Sequence, residues 1–200
     1  MPHPLRQCTP GELYHITARG NNRQAIFNDE MDYREYLQLL YEVTRRYAVN
    51  IHAFALMPNH VHLLLQPVQQ ENLSAALQVL NSTFAKYINR RYGRIGHLFQ
   101  GRYHSSHVDR EAYLLVVSRY IHNNPVRAGL AKDATQYPWS SARAFTGELD
   151  LGSPLDRLIK RLVDTALTLS LLSEETCKKA VTYREFLKTV SDTELTFKKM

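Results

Sequence analysis

Two histidines separated by one residue, His60 and His62, lie in the string MPNHVHLLL. On a β-strand, residues i and i+2 project from the same face, so both imidazoles share one side while Val61 and Leu63 take the other. Two neutral imidazoles on one face can hold a divalent cation and leave coordination positions open for water or a phosphate oxygen, an arrangement suited to phosphoryl transfer. The plainer reading is a pair of strand histidines on a half-exposed sheet. A second chemical element is Tyr120 in RYIHNNPVRAG, with Asn124 four residues on and so on the same helical face. A phenol ordinarily titrates near pH ~10, so a metal or base beside it assists phenolate formation and attack on phosphorus. Asn124 offers an amide oxygen to a metal. The spacing of Tyr113, Val117 and Tyr120 fits core packing equally well. His122 is turned away from Tyr120 by its position on the helix and is expected at the surface or in surface packing.

The segments that must position these side chains read as follows. LYHITAR, residues 13–19, alternates as a strand and ends in Gly-Asn-Asn, a turn signal. From Asp32 to Tyr47 the apolar positions recur at helical spacing, with Asn28 or Asp29 as cap. IHAFALM and HVHLLLQ are two strand-like runs joined by Pro58-Asn59, a tight hairpin. A helix is predicted from about Leu73 to Tyr92, stopped by Gly93. A short strand follows near Arg102 to Val108, then a helix capped by Asp109 and ended near Asn123 by Asn-Pro. The order β-α-β-β-α-β-α predicts an α+β, ferredoxin-like sandwich: an antiparallel sheet with helices packed on one face, plus an extra helix bearing Tyr120. YPWSSARAFTG reads as a short helix or closing loop. A helical C-terminal extension occupies 148–200, behind a domain of residues 1–147, with a Leu-dense stretch from Leu155 to Leu172 and a last helix around Lys179 to Val190.

The 200 residues carry 25 Lys and Arg against 19 Asp and Glu, a formal charge of +6, which suits a polyanionic partner without demanding one. The basic residues concentrate between Lys86 and Arg127, where aromatic residues and histidines also gather. No run reaches the ~18 apolar residues of a membrane span, and the opening MPHPLRQCTPGELYH has no apolar signal-peptide core, so a cytoplasmic protein is expected. Cys8 and Cys177, isolated and distant, exclude a Cys-rich zinc module and give no disulfide framework. No phosphate-binding glycine loop is present, so no nucleotide cofactor is expected.

MPNHVHLLL, then GHLFQGRYHS, then RYIHNNPVRAGL, in that order, closely resemble the HUH-type, IS200-like single-tyrosine transposases, in particular the REP-associated tyrosine transposases. The resemblance covers roughly residues 8 to 147, and YPWSSARAFTG and DTALTLSLLSEETCKKAVTYREFL also look like the tail of that branch. It implies a ferredoxin-like palm, His60 and His62 as the paired histidines, Tyr120 as nucleophile, Asn124 as third protein ligand, and Mg²⁺ or Mn²⁺ as the ion. Mobile relatives usually have Gln at the last position; Asn is the form of the REP-associated branch. The implied reaction nicks single-stranded or hairpin DNA through a 5′-phosphotyrosine, frees a 3′-OH and rejoins strands, without ATP. Arg19, Arg23, Arg90, Arg91, Arg102, Arg119 and Arg127 are candidates for DNA backbone contacts, Arg110 is a further one, and Tyr103 is a candidate for stacking on a base. Mobile relatives exchange tyrosine helices as dimers; the extra C-terminal residues incline this chain to a monomer. The alternatives are a non-catalytic nucleic-acid-binding module of the same fold, or a metal-dependent hydrolase in which His104 or His107 joins His60 and His62 and water attacks.

Overall fold

A computed structural model describes residues 8–69, 72–108, 111–172 and 176–189. Asp109, the expected cap of the third long helix, and Arg110 lie outside them. Four strands, β1 (Leu13–Arg19), β2 (Val49–Met57), β3 (His60–Pro67) and β4 (His104–Val108), form one sheet in the order β2-β3-β1-β4. All neighbouring pairs are antiparallel. With α1 (Glu30–Arg46) between β1 and β2 and α2 (Asn72–Tyr92) between β3 and β4, this is the expected ferredoxin-like α+β sandwich.

Alternation along the strands sorts side chains onto two faces. Tyr14, Ile16, Ala18, Phe54, Leu56, Val61, Leu63 and Leu65 pack against Tyr36, Leu37 and Leu40 of α1 and Leu77, Leu80 and Phe84 of α2. The opposite face carries Leu13, Ala53, Ala55, Leu64 and Val108, covered by Leu114, Val117 and Ile121 of α3 (Glu111–Arg127). Ala53 and Ala55 are small, which lets α3 sit close to β2. Asp29 starts α1 by accepting from the N–H groups of Met31 (3.0 Å) and Asp32 (3.2 Å), a cap worth ~1 kcal/mol.

The third long helix does not stop at Asn123. It continues through Pro125 to Arg127. Proline costs a helix one backbone hydrogen bond, but here it sits in the last turns, with Ala128 N–H donating to Asn124 O (2.9 Å) and Leu130 N–H to Pro125 O (2.9 Å). The stop comes with Gly129, whose φ of +70° is left-handed.

Beyond α3, residues of YPWSSARAFTG take both expected forms. Leu56 N–H donates to Trp139 O and Ser141 N–H to Phe54 O, so this segment covers the open edge of β2 before α4 (Ala142–Thr146) begins. The remainder forms α5 (Pro154–Leu162), α6 (Ala166–Ser170) and α7 (Thr176–Lys188). Leu155, Ile159 and Leu162 join the α1 and α2 core. Tyr183 and Leu187 of α7 pack with Ala142 and Phe145 of α4. Among the described residues no helix is long and apolar enough to cross a membrane.

Candidate active site

Register places the two histidines. His60 and His62 pair with Arg19 and Thr17 of β1 on one side, and with Met57 and Ala55 of β2 on the other. All six therefore belong to the face covered by α3. The His60 and His62 rings lie 4.9 Å apart, nearly perpendicular. The turn after β1 holds the end of the site together. Gly20 N–H donates to Asn59 O (2.8 Å), and a Cβ on Gly20 would meet Gln24 O at 2.2 Å, so no other residue fits without moving that turn.

At His60 a hydrogen bond fixes which ring nitrogen is available. Asn59 Nδ2 donates to Arg23 O (3.1 Å), which turns its Oδ1 toward His60 Nδ1 at 2.6 Å. An amide oxygen only accepts, so Nδ1 carries the proton of the neutral ring and Nε2 keeps its lone pair. His62 Nδ1 is 3.0 Å from His15 Nε2 and 3.5 Å from Thr17 Oγ1. Burial first, then the neighbouring Arg19 charge, pushes His60 down to about 4. His15 is pushed down to about 4 by burial and the charge of His104. Burial, then the charges of His15, His60 and Arg19, hold His62 well below its usual value. These three rings are neutral at pH 7, the form a metal requires.

Tyr120 of α3 closes the site from above. Its ring is edge-on to His62, with centroids 5.7 Å apart at 90°, and to His15 at 5.9 Å and 79°. The Arg127 guanidinium lies 5.3 Å from the Tyr120 ring centre. Asn124, one turn on, donates from Nδ2 to Tyr120 O (2.8 Å), which leaves Oδ1 as the uncommitted end of the amide. Among the described residues no three His, Cys, Asp or Glu side chains gather as a metal site. Neutral imidazoles and an amide oxygen are donor types that can bind a divalent cation: His60 and His62 share one face of the sheet, and Asn124 follows Tyr120 by one turn of α3.

Residues 9–124, which include β1, the paired histidines and Tyr120, match the family described as Transposase IS200 like. The chain belongs to that family. This IS200-like chain is also 26% identical over 152 residues to a Haemophilus influenzae protein provisionally named a REP-associated tyrosine transposase, covering 70% of this chain and 85% of that one. A solved structure of a REP-associated tyrosine transposase bound to a REP hairpin superposes with a TM-score of 0.62 at 19% identity, covering 78% of this chain and 90% of that one. That likeness supports the fold.

The remaining expected residues divide sharply. Arg19, Arg23, Arg90, Arg102 and Arg127 are exposed, with Arg19 and Arg127 beside the histidines and tyrosine. Arg91 is bound into ion pairs with Asp29 and Asp32, so its charge serves the α1–α2 contact and not a DNA groove. Arg119 is 2% exposed, bonded to Thr189 and lying over Phe186, which removes it from the DNA candidates. Tyr103 is buried with its hydroxyl 3.1 Å from Ser74 Oγ, so its ring packs in the α2 core and is not presented for stacking. His122 does point away from Tyr120, but it is fully buried and not at the surface. Of the other histidines, His104 pairs with Thr17 on the site face, whereas His107 pairs with Tyr14 on the opposite face and meets Glu12. His15 is the site residue that spacing did not single out; its only sequence signal is a two-residue step from Thr17 in β1.

Proposed function

We propose that this protein nicks and rejoins single-stranded DNA through a covalent tyrosine link, at REP-type hairpin sequences. The observation that carries the reading is the Tyr120 ring set edge-on over His62 within one chain, with Arg127 beside it. Bound to His60, His62 and Asn124, Mg²⁺ or Mn²⁺ would supply polarisation of the scissile phosphate. Arg127 and Arg19 put positive charge where the phosphate arrives beside Tyr120 and His60. The Tyr120 oxygen forms a bond to phosphorus as the bond to the 3′-oxygen breaks. The phenol gives up its proton and the departing 3′-oxygen takes one up, leaving a 5′-phosphotyrosine and a free 3′-OH. Attack by another 3′-OH reverses the step and joins strands without an external energy source, because the phosphodiester energy is kept in the tyrosyl ester. The hairpin preference rests on likeness to relatives named for REP elements.

The test is incubation with single-stranded REP-type hairpin oligonucleotides and Mg²⁺ or Mn²⁺, with peptide mapping of the adduct. Tyr120→Phe should fold, bind the hairpin and form no adduct, because the ring remains and the attacking oxygen is gone. An adduct mapped to Tyr103 or Tyr113 in that variant would overturn the nucleophile assignment. Nicking with no adduct would favour a hydrolase with water as nucleophile.

A further inference from the structure

The back of the nucleophile helix is tied down by polar groups that the reaction does not use. His122 is fully buried, with Nδ1 2.7 Å from Tyr183 Oη of α7 and Nε2 2.7 Å from Ser141 Oγ. Phe54 N–H of β2 donates to that same Oγ (2.9 Å), and Phe54 O lies 3.3 Å from it. Burial pushes His122 down to about 3, so it is neutral and has one donor and one acceptor nitrogen. One assignment satisfies every group: Tyr183 O–H donates to His122 Nδ1, His122 Nε2–H to Ser141 Oγ, and Ser141 O–H to Phe54 O. The chain of bonds therefore runs from α7 through α3 to β2, whose next residue, Ala55, is the register partner of His62. Two more contacts tie the same side of α3 to the C-terminal residues: Asn123 Nδ2 donates to Leu187 O (2.9 Å), and Arg119 bonds Thr189 and covers Phe186.

We propose that the Tyr183–His122–Ser141 chain is a positioning device for the reaction, through which the C-terminal helix α7 fixes the rotation of α3 and so the place of the Tyr120 oxygen over His62. This rests on the reading of Tyr120 as nucleophile. His122 is two residues beyond Tyr120, about 200° round the helix, so any roll of α3 that displaces Tyr120 displaces His122 oppositely and strains its two short bonds. A tyrosine oxygen stands about 9 Å from its helix axis, and a roll of about 10° moves it by about 1.5 Å. Misplacement on that scale is enough to cost a reaction about 100-fold. An apolar residue at position 122 would fill the space but leave the roll of α3 to packing alone. Tyr183, Ser141 and His122 are buried and bond to one another, not to Tyr120, His60 or His62, so they are positioning residues and not catalytic ones.

The test uses the full chain and single-turnover adduct formation on a hairpin oligonucleotide. Tyr183→Phe removes only the hydroxyl linking α7 to α3. It should keep hairpin Kd within about twofold and lower the adduct rate at saturating DNA by about 10- to 100-fold. His122→Phe should lower it at least as far, and His122→Gln, whose amide has both a donor and an acceptor, should recover part of the loss. If His122→Phe does not fold, Tyr183→Phe and His122→Gln still decide. Rates equal to the parent in folded Tyr183→Phe, with only the melting temperature lowered, would overturn the proposal and leave the chain of bonds a stabilising feature. Tyr120→Phe run alongside separates the two readings: an adduct persisting there sinks the nucleophile assignment, whereas its loss there combined with parent rates in Tyr183→Phe sinks the positioning role alone.

Discussion

His15 lies directly behind His62, stacked on it with ring centroids 5.2 Å apart and its Nε2 3.0 Å from His62 Nδ1. If His62 Nδ1–H is the donor, His62 Nε2 keeps its lone pair, as the Asn59 side-chain oxygen makes His60 Nε2 do. Partners of this kind set the tautomer and aim of a metal-binding imidazole, and losing one typically costs about 10- to 100-fold in metal affinity. His15→Phe, which keeps a ring and removes the acceptor, should therefore weaken Mn²⁺ binding by about that factor while hairpin binding stays near the parent value. Titration followed by electron paramagnetic resonance checks this, and parent-like Mn²⁺ affinity would reduce His15 to a packing residue. That His60 and His62 share a face was legible because two residues along a strand return to the same side; that Tyr120 meets His62 follows only from how α3 packs on the sheet. His15 was not legible, because its partner is on another strand and only the β1–β3 register brings them together.

At the scale of elements, the strands and the two helices of the sandwich were readable because each buries one face and its sequence alternates or repeats accordingly. The exits were less so: Pro125 is a stop signal that position in the final turns overrides, and the C-terminal residues divide into α5, α6 and α7 according to surfaces they pack on, which local pattern does not encode. Arginine placement has the same cause. Arg91 stood among the candidates for DNA backbone contacts, yet α2 runs beside the start of α1 and presents it to Asp29 and to the wholly buried Asp32 carboxylate. The Arg91 hydrogen bond is the main reason Asp29 is held at about 2. A depressed carboxyl stabilises the fold fully above its unfolded value, near pH ~4, and that contribution is lost as pH falls toward 2. Arg91→Met removes the one cation paired with Asp32 among the described residues, leaving it the Asn28 N–H, the Asn28 side-chain amide and the Tyr92 hydroxyl as donors. It should lower the urea midpoint at pH 7 and flatten the acid loss between pH 4 and 2. Hairpin affinity at fixed salt should be unchanged; a large drop in folded protein would return Arg91 to the DNA surface.

Over the whole molecule the charge of +6 is divided between internal and outward uses. Arg91, Arg119 and Arg143 are spent inside, on Asp29 and Asp32, on Thr189 and Phe186, and on Asp156. Arg19, Arg23, Arg90, Arg102 and Arg127 face outward. A polyanion bound by outward arginines releases one set of counterions per phosphate neutralised, so log Kd should rise steeply and linearly with log salt, each contact contributing a slope of about 0.7 to 0.9. Internal arginines release none. Arg19→Ala and Arg127→Ala should each reduce the slope by roughly one and weaken all sequences alike, while folded Arg119→Met should leave it where it was. Measuring hairpin affinity by fluorescence anisotropy from about 50 to 200 mM salt separates the two sets, since a binding loss through misfolding lowers affinity without changing the slope. A flat profile in the parent would mean that the outward arginines do not form the DNA surface. A slope reduced by Arg119→Met but not by Arg127→Ala would mean that DNA binding opens the α3–α7 contact and recruits the buried arginine.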